Sequence, residues 1–193
     1  MKRVCVFCGS SSGARAEYTR AAAETGQVIA RRGLGLVYGG GHVGLMGVAA
    51  DAALRAGGEV IGAITHALRD REIGHDGLTE LHVVRTMHER KALMAALSDG
   101  FLVLPGGIGT LEEFFEVWTW GQLGEHAKPV GLVNVAGYFD GLIRFLETMM
   151  AEGFLKRKHR KMLIVADTPT AVLDAFTRYE PPTVGKWVGP SET

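Results

Sequence analysis

The chain has 193 residues, of which 47% are hydrophobic, and this suits one α/β domain with a full core. Lysine plus arginine and aspartate plus glutamate each number 21, so the formal net charge is zero. Nucleic acids and membrane surfaces usually select a basic face, so this balance argues against both as main partners. The apolar runs are too short for a membrane span or a signal peptide, and we therefore expect a cytoplasmic protein.

Strand and helix patterns alternate through the first half of the chain. The predicted strands are Arg3–Cys8, Leu34–Tyr38, Glu59–Ile64 and Leu81–Arg85. Helices are predicted over about 14–31, 45–56 and 86–98, and the first two follow glycine-rich turns at 9–13 and 39–47. Residues 66–79 have too little apolar content for a core element, which predicts a loop or short helix near a site.

The second half continues the alternation. Phe101–Leu104 forms a short apolar strand, which Pro105 and three glycines end. Thr110 is predicted to cap the following helix, which runs to about residue 123 with an apolar stripe at Leu111, Phe114, Phe115 and Trp118. Strands at 129–134 and 162–165 alternate with helices at 139–152 and 169–177. We predict a single domain over residues 1–180 and a flexible tail over 181–193.

This alternation predicts a Rossmann-like α/β fold. We expect a doubly wound, mostly parallel sheet of about seven strands with helices on both faces, joined by right-handed crossovers. Ligands of such sheets bind beyond the carboxyl ends of the strands, near the point where the strand order reverses. The glycine turns after strands one, two and five should therefore gather at one edge.

The turn after the fifth strand is typical of an anion site. A strand, a glycine turn and a helix bring free backbone N–H groups and the positive end of a helix dipole to one point, which most often binds phosphate. Glu112 and Glu113 lie beside it. One interpretation is an ordinary acidic first turn of the helix, which complements the helix dipole. The other is that these carboxylates take part in acid–base chemistry or stabilise a cation, because a phosphate site by itself needs no negative charge.

Two common nucleotide motifs fit poorly. Gly39-x-Gly41-x-x-Gly44 matches the dinucleotide fingerprint, but the acid that should end the next strand is absent and Glu59 begins that strand instead. No glycine loop is followed by Lys-Ser or Lys-Thr, which excludes a P-loop. A mononucleotide or sugar phosphate fits the glycine turns best.

Cysteine and histidine spacing favours neither redox nor metal chemistry. Cys5 and Cys8 form a C-x-x-C, but both lie in a predicted strand rather than at a helix N-terminus, so we expect two buried or half-buried thiols. The seven histidines lack metal-ligand spacing. We predict no metal and no other cofactor.

Arg90 lies on a largely apolar helix face, which it shares with Met87, Met94 and Leu97. Its guanidinium either pairs at the edge of the core with an acid such as Glu89, or is held in a pocket against an anion. The helix starts directly after a strand, which favours a place near the carboxyl edge of the sheet.

Two motifs together carry a family resemblance. Pro105-Gly-Gly-Ile-Gly-Thr-Leu-Glu-Glu113 fits the pattern P-G-G-x-G-T-x-x-E, and Met87-His-Glu-Arg-Lys91 fits M-x-x-R-K. With Val37–Gly41, Gly44–Gly47 and the opening Cys8-Gly-Ser-Ser, the chain resembles the Lonely Guy (LOG) family over residues 3–178. These proteins are cytokinin riboside 5′-monophosphate phosphoribohydrolases, whose relatives were long mislabelled as lysine decarboxylases.

The resemblance implies hydrolysis of the N-glycosidic bond of an adenine-type nucleoside 5′-monophosphate to free base and ribose 5-phosphate, by a homodimer or higher homo-oligomer. It implies Arg90 and Glu113 as the catalytic pair. The implied substrate-binding positions are Ser10, Gly40, Gly41, Glu72, Lys91, Gly106, Gly107, Ile108, Gly109, Thr110, Leu111 and Glu112. Two alternatives stay open: AMP as the main substrate, and a non-catalytic nucleotide or cofactor carrier with the same fold.

Overall fold

A computed structural model of the chain describes residues 1–72 and 74–182. The side chain of Glu72 and residues 183–193, most of the predicted tail, lie outside this description. Within it, no helix combines the length and the apolar character needed to cross a membrane.

Seven strands form one sheet with the order β4-β3-β2-β1-β5-β6-β7, and every neighbouring pair is parallel. The chain moves outward from β1 to β4 and then returns to the other side of β1 for β5. This confirms the doubly wound, Rossmann-like prediction, and the order reverses between β1 and β5. The strands are β1 Arg3–Phe7, β2 Gly35–Tyr38, β3 Val60–Thr65, β4 Glu80–Val84, β5 Gly100–Val103, β6 Val130–Val133 and β7 Leu163–Ala166.

The helices lie close to their predicted positions. The segment after β3 forms a short helix, α3. Two elements were not predicted: a four-residue helix, α7, and a 3₁₀ turn at Val135–Gly137. The helices are α1 Ala16–Arg31, α2 Gly44–Arg55, α3 His66–Glu72, α4 Met87–Ala96, α5 Ile108–Leu123, α6 Asp140–Ala151, α7 Arg157–Arg160 and α8 Pro169–Thr177.

The sheet separates two apolar cores, because successive strand residues point to opposite faces. Val4 and Val6 of β1 pack with apolar residues of α1, α2 and α8. Cys5 and Phe7 pack on the other face with residues of α4, α5 and α6. Helices therefore cover both faces, as predicted.

Helix α5 begins earlier than the sequence indicated. Gly107 is its N-cap in an extended conformation, so Ile108 is the first helical residue and the predicted Thr110 cap is wrong. Thr110 lies instead in the first turn, and its side chain is buried against Gly106. A Cβ added to Gly106 would lie only 2.1 Å from the Thr110 hydroxyl. Glycine can also occupy an N-cap, and here it precedes the threonine that the pattern favoured.

Cys5 and Cys8 are both buried, and neither forms a disulfide. Burial raises the pKa of each thiol well above its usual value, so both remain protonated at neutral pH. The prediction of two buried or half-buried thiols is confirmed, and both are buried.

Helices α1 and α2 cross at Gly26, and this contact gives a stability prediction. A Cβ there would lie 2.1 Å from the carbonyl oxygen of Ala49, so the helix backbones must separate to accept it. We expect Gly26→Ala to lower the free energy of unfolding by about 1–3 kcal/mol, measured by urea denaturation, despite alanine's better helix propensity.

Gly141→Ala is the matched control, because Gly141 is also helical and the nearest atom to its added Cβ is the end of the Arg144 side chain at 3.9 Å. We expect it to raise the free energy of unfolding by about 0.5–1 kcal/mol. If Gly26→Ala were as stable as Gly141→Ala, the close helix crossing would be incorrect.

Candidate active site

The turns after β1, β2 and β5 touch one another at the carboxyl edge of the sheet, as predicted. The Gly9 N–H donates to the Pro105 carbonyl at 3.0 Å, and the Leu45 N–H donates to the Gly9 carbonyl at 3.0 Å. Gly44 has a φ of +57°, and a Cβ on it would lie 2.3 Å from the backbone of Ser10. Glycine is therefore required where α2 meets the β1 turn.

A cavity of about 330 Å³ opens at this edge, beside the N-terminus of α5. The first N–H groups of a helix have no partner within the helix, so α5 offers backbone donors and the positive end of its dipole to the cavity. The residues around it are Cys8, Ser10, Met46, Leu68, Met87, Arg90, Gly107, Ile108, Gly109, Thr110, Glu112 and Glu113.

The Arg90 side chain is buried and held in a fixed orientation. Its Nε donates to the Ala63 carbonyl at 2.9 Å and its Nη2 donates to the Gly39 carbonyl at 3.2 Å. Its Nη1 lies 3.4 Å from Oε1 of Glu113. The alternative of a pair with Glu89 is wrong, because Glu89 binds the Arg85 guanidinium at 3.0 Å.

Glu113 is a nearly buried carboxyl group, with 13% of its side chain exposed. Burial raises its pKa to about 7, although the positive charge of Arg90 acts in the opposite direction. A carboxyl group with this pKa exchanges a proton near neutral pH, which is the property that general acid–base catalysis requires.

Lys91 has a different environment from its neighbour Arg90. Its Nζ lies 2.5 Å from Glu112 and 3.0 Å from Glu116 on α5. Burial opposes the charge, but the hydrogen bonds with both carboxylates leave the pKa of Lys91 above its usual value. Lys91 thus joins α4 to α5, and it does not line the cavity that Arg90 and Glu113 share.

The predicted substrate-binding residues divide between the cavity and other places. Leu111 packs against the core and does not line the cavity. Gly106 lines a second cavity on the other side of the glycine turn. The Gly40 carbonyl accepts a hydrogen bond from the His75 N–H at 3.1 Å, and Gly41 forms an antiparallel β-bridge with Gly74. The cavity itself receives Ser10, Gly107, Ile108, Gly109, Thr110 and Glu112.

Several residues at the site were not among the predicted site residues, although some of them lie within the family motifs. Met46, Leu68 and Met87 supply an apolar side of the cavity, and each resembles an ordinary core residue in its helix pattern. Gly39, rather than Gly40 or Gly41, contacts Arg90. Tyr138 follows β6 and hydrogen-bonds to the glycine turn; the position of β6 next to β5 could have indicated it once the strand order was known.

Among the residues that the structure describes, His42, Asp51 and His75 form the one group with three possible metal-ligand atoms within 4.8 Å of one another. The His75 Nδ1 accepts the Gly77 N–H at 3.1 Å, so its Nε2 carries the proton and donates to Asp51 at 2.9 Å. A ligating histidine would instead donate from its second nitrogen. The group therefore acts as a hydrogen-bonded clamp on the β2–α2 turn.

The fold also occurs in proteins of low sequence identity. The molybdenum cofactor carrier protein of Chlamydomonas reinhardtii superposes with a TM-score of 0.70 at 22% identity, covering 92% of this chain and 96% of that one. At this identity the likeness shows a common fold alone.

Sequence comparison gives a closer relationship. A family model described as possible lysine decarboxylase matches residues 46–176. A rice (Oryza sativa subsp. japonica) probable cytokinin riboside 5′-monophosphate phosphoribohydrolase is 48% identical over 181 residues, which are 94% of this chain and 74% of that protein. An Arabidopsis thaliana cytokinin riboside 5′-monophosphate phosphoribohydrolase is 48% identical over 180 residues, 93% of this chain and 79% of that protein. The chain therefore belongs to the LOG family.

Proposed function

We propose that this protein is a phosphoribohydrolase of adenine-type (cytokinin) riboside 5′-monophosphates, which it cleaves to free base and ribose 5-phosphate. The observation that carries this proposal is the buried pair of Arg90 and Glu113, in which Glu113 lies on the second turn of α5, the helix whose N-terminus can hold a phosphate. The names of the rice and Arabidopsis relatives support the same activity.

The chemistry explains why a carboxylate belongs beside a phosphate site. Breaking the bond between C1′ and the base nitrogen builds positive, oxocarbenium-like charge on the ribose. An ionised Glu113 next to that carbon stabilises the charge and accepts a proton from the attacking water. The water oxygen bonds to C1′, the bonding electrons leave with the base nitrogen, and that nitrogen gains the proton that the water loses, which leaves Glu113 ionised again.

Arg90 serves this reaction by being fixed in place. Two of its nitrogens are used by the carbonyls of Ala63 and Gly39, and Nη1 remains directed toward Glu113. From there the guanidinium orients the substrate and assists departure of the base by hydrogen bonding; binding of the phosphate is the alternative role for the same group.

The non-catalytic carrier is the second candidate. A carrier of an anionic ligand gains nothing from a carboxylate near the bound anion, and burying Glu113 costs free energy. This cost is explained if the carboxylate acts on the ribose. Glu113 therefore favours the hydrolase.

The apolar side of the cavity supports a prenylated base over plain AMP as the main substrate. Met46, Leu68 and Met87 offer surface that an N6 hydrocarbon substituent can cover and that an amino group cannot. AMP hydrolysis stays in the proposal as the weaker activity. We further propose a homodimer or higher homo-oligomer, in line with the 88% exposure of Ile108 at the cavity mouth.

Replacing Glu113 tests the catalytic assignment. We expect Glu113→Gln to reduce turnover of isopentenyladenosine monophosphate at least ~100-fold, because the variant lacks a general base. Release of base is measured by chromatography. Glu116→Gln, one turn later on the same helix, is the control and should stay within threefold of the wild type; a loss below tenfold in Glu113→Gln would refute the assignment.

The pH dependence tests the protonation state that Glu113 needs. Its pKa is raised to about 7, and the ionised form is the active one. We therefore expect kcat/KM to fall about tenfold per pH unit below pH 7 and to level off above it.

The second pKa of the substrate phosphate lies near pH 6, so the same profile is measured for the residual activity of Glu113→Gln. In that variant, the decrease of kcat/KM below pH 7 that is due to protonation of Glu113 should be absent. A wild-type rate that is constant between pH 6 and 8, or that rises toward acid pH, would contradict the role of ionised Glu113.

A further inference from the structure

The turn between β6 and α6, residues 134–140, is strained and firmly held. Ala136 has a φ of +50° and is the only non-glycine residue with a positive φ among those described. The Asn134 side chain accepts the Phe139 N–H and donates to Asp140, both at 2.7 Å. Strained backbone persists only where its surroundings impose it, and it concentrates at functional sites.

This turn directs Tyr138 at the glycine turn after β5. The Tyr138 hydroxyl donates to the Gly106 carbonyl at 2.6 Å. Its ring packs edge-on against Tyr18, with 5.5 Å between centroids, and against Phe139 at 4.9 Å. The phenol is thus fixed by contacts on two sides.

Peptide geometry links this hydrogen bond to the candidate active site. In a planar trans peptide, the carbonyl of one residue and the N–H of the next point in opposite directions. The Gly106 carbonyl faces Tyr138, in a second cavity of about 280 Å³ behind the turn. Gly107 lies between the two cavities and lines both, and its N–H points away from Tyr138, on the side of the turn where Arg90 and Glu113 lie.

The sequence of the turn explains why a lock is needed. Gly106 and Gly107 flank the peptide, and glycine adopts both signs of φ with little penalty, so this peptide can rotate easily. A rotated peptide would present a carbonyl oxygen, the negative end of its dipole, to the bound anion. The hydrogen bond from Tyr138 opposes that rotation.

We propose that Tyr138 is a positioning residue that orients the Gly106–Gly107 peptide so that the Gly107 N–H faces the 5′-phosphate of the substrate. The inference rests on the proposed function of the cavity, because it assigns the phosphate to the N-terminus of α5. Tyr138 acts through the backbone and does not touch the substrate.

Tyr138→Phe tests the inference, because it keeps the ring and removes the hydroxyl. The KM for isopentenyladenosine monophosphate and the Kd for ribose 5-phosphate, measured by calorimetry, should both rise about three- to tenfold, the effect of one neutral hydrogen bond. The kcat should stay within twofold of wild type, and the Kd for adenine should not change. A merely structural role would weaken adenine and ribose 5-phosphate alike.

Tyr18→Phe is the matched control, since it keeps the ring that packs against Tyr138, and it should bind ribose 5-phosphate like the wild type. The inference is overturned if Tyr138→Phe binds ribose 5-phosphate as tightly as wild type, or if adenine binding weakens by the same factor. Hydrolysis by the wild-type protein tests the proposed function separately, because the calorimetric comparison does not depend on turnover.

Discussion

The buried contact between Arg90 and Glu113 is the interaction on which the rest of the site depends. A charge without a partner in such a place would be strongly unfavourable, so each group needs the other and needs further hydrogen bonds. The carbonyls of Ala63 and Gly39 supply these for Arg90, and they belong to β3 and to the turn after β2. A Cβ on Gly39 would lie 2.0 Å from the guanidinium, so the close approach requires glycine.

The topology brings the two partners together. Arg90 lies on α4, which leads from the outermost strand on one side of the sheet, and Glu113 lies on α5, which follows the first strand on the other side. Both helices pack on the same face, and the Lys91 ion pairs with Glu112 and Glu116 join them next to Arg90 and Glu113. The proposed phosphate site and the proposed catalytic pair are thus supported by the same helix, α5.

Most of the fold was predictable from the sequence because strands and helices leave local patterns. The spacing of apolar residues and the positions of turn residues predict the seven strands, their alternation with helices and the gathering of the glycine turns at one edge. They do not predict the strand order or the first residue of α5. The site was less accessible. Spacing left Arg90 open between an edge position and a pocket, and the family motifs named its partner. Leu111 and Tyr138 show the limit: the first belongs to the motif but faces the core, while the second lies outside the motif yet contacts its turn.

The most direct measurement offers the purified wild-type protein an adenine-type riboside monophosphate, prenylated or plain, and separately its parent nucleoside, with identification of all products. We predict equal amounts of free base and ribose 5-phosphate from the monophosphate and no base from the nucleoside. The prenylated monophosphate should be the better substrate. Tight binding of the monophosphate without release of base would contradict the hydrolase and leave a carrier.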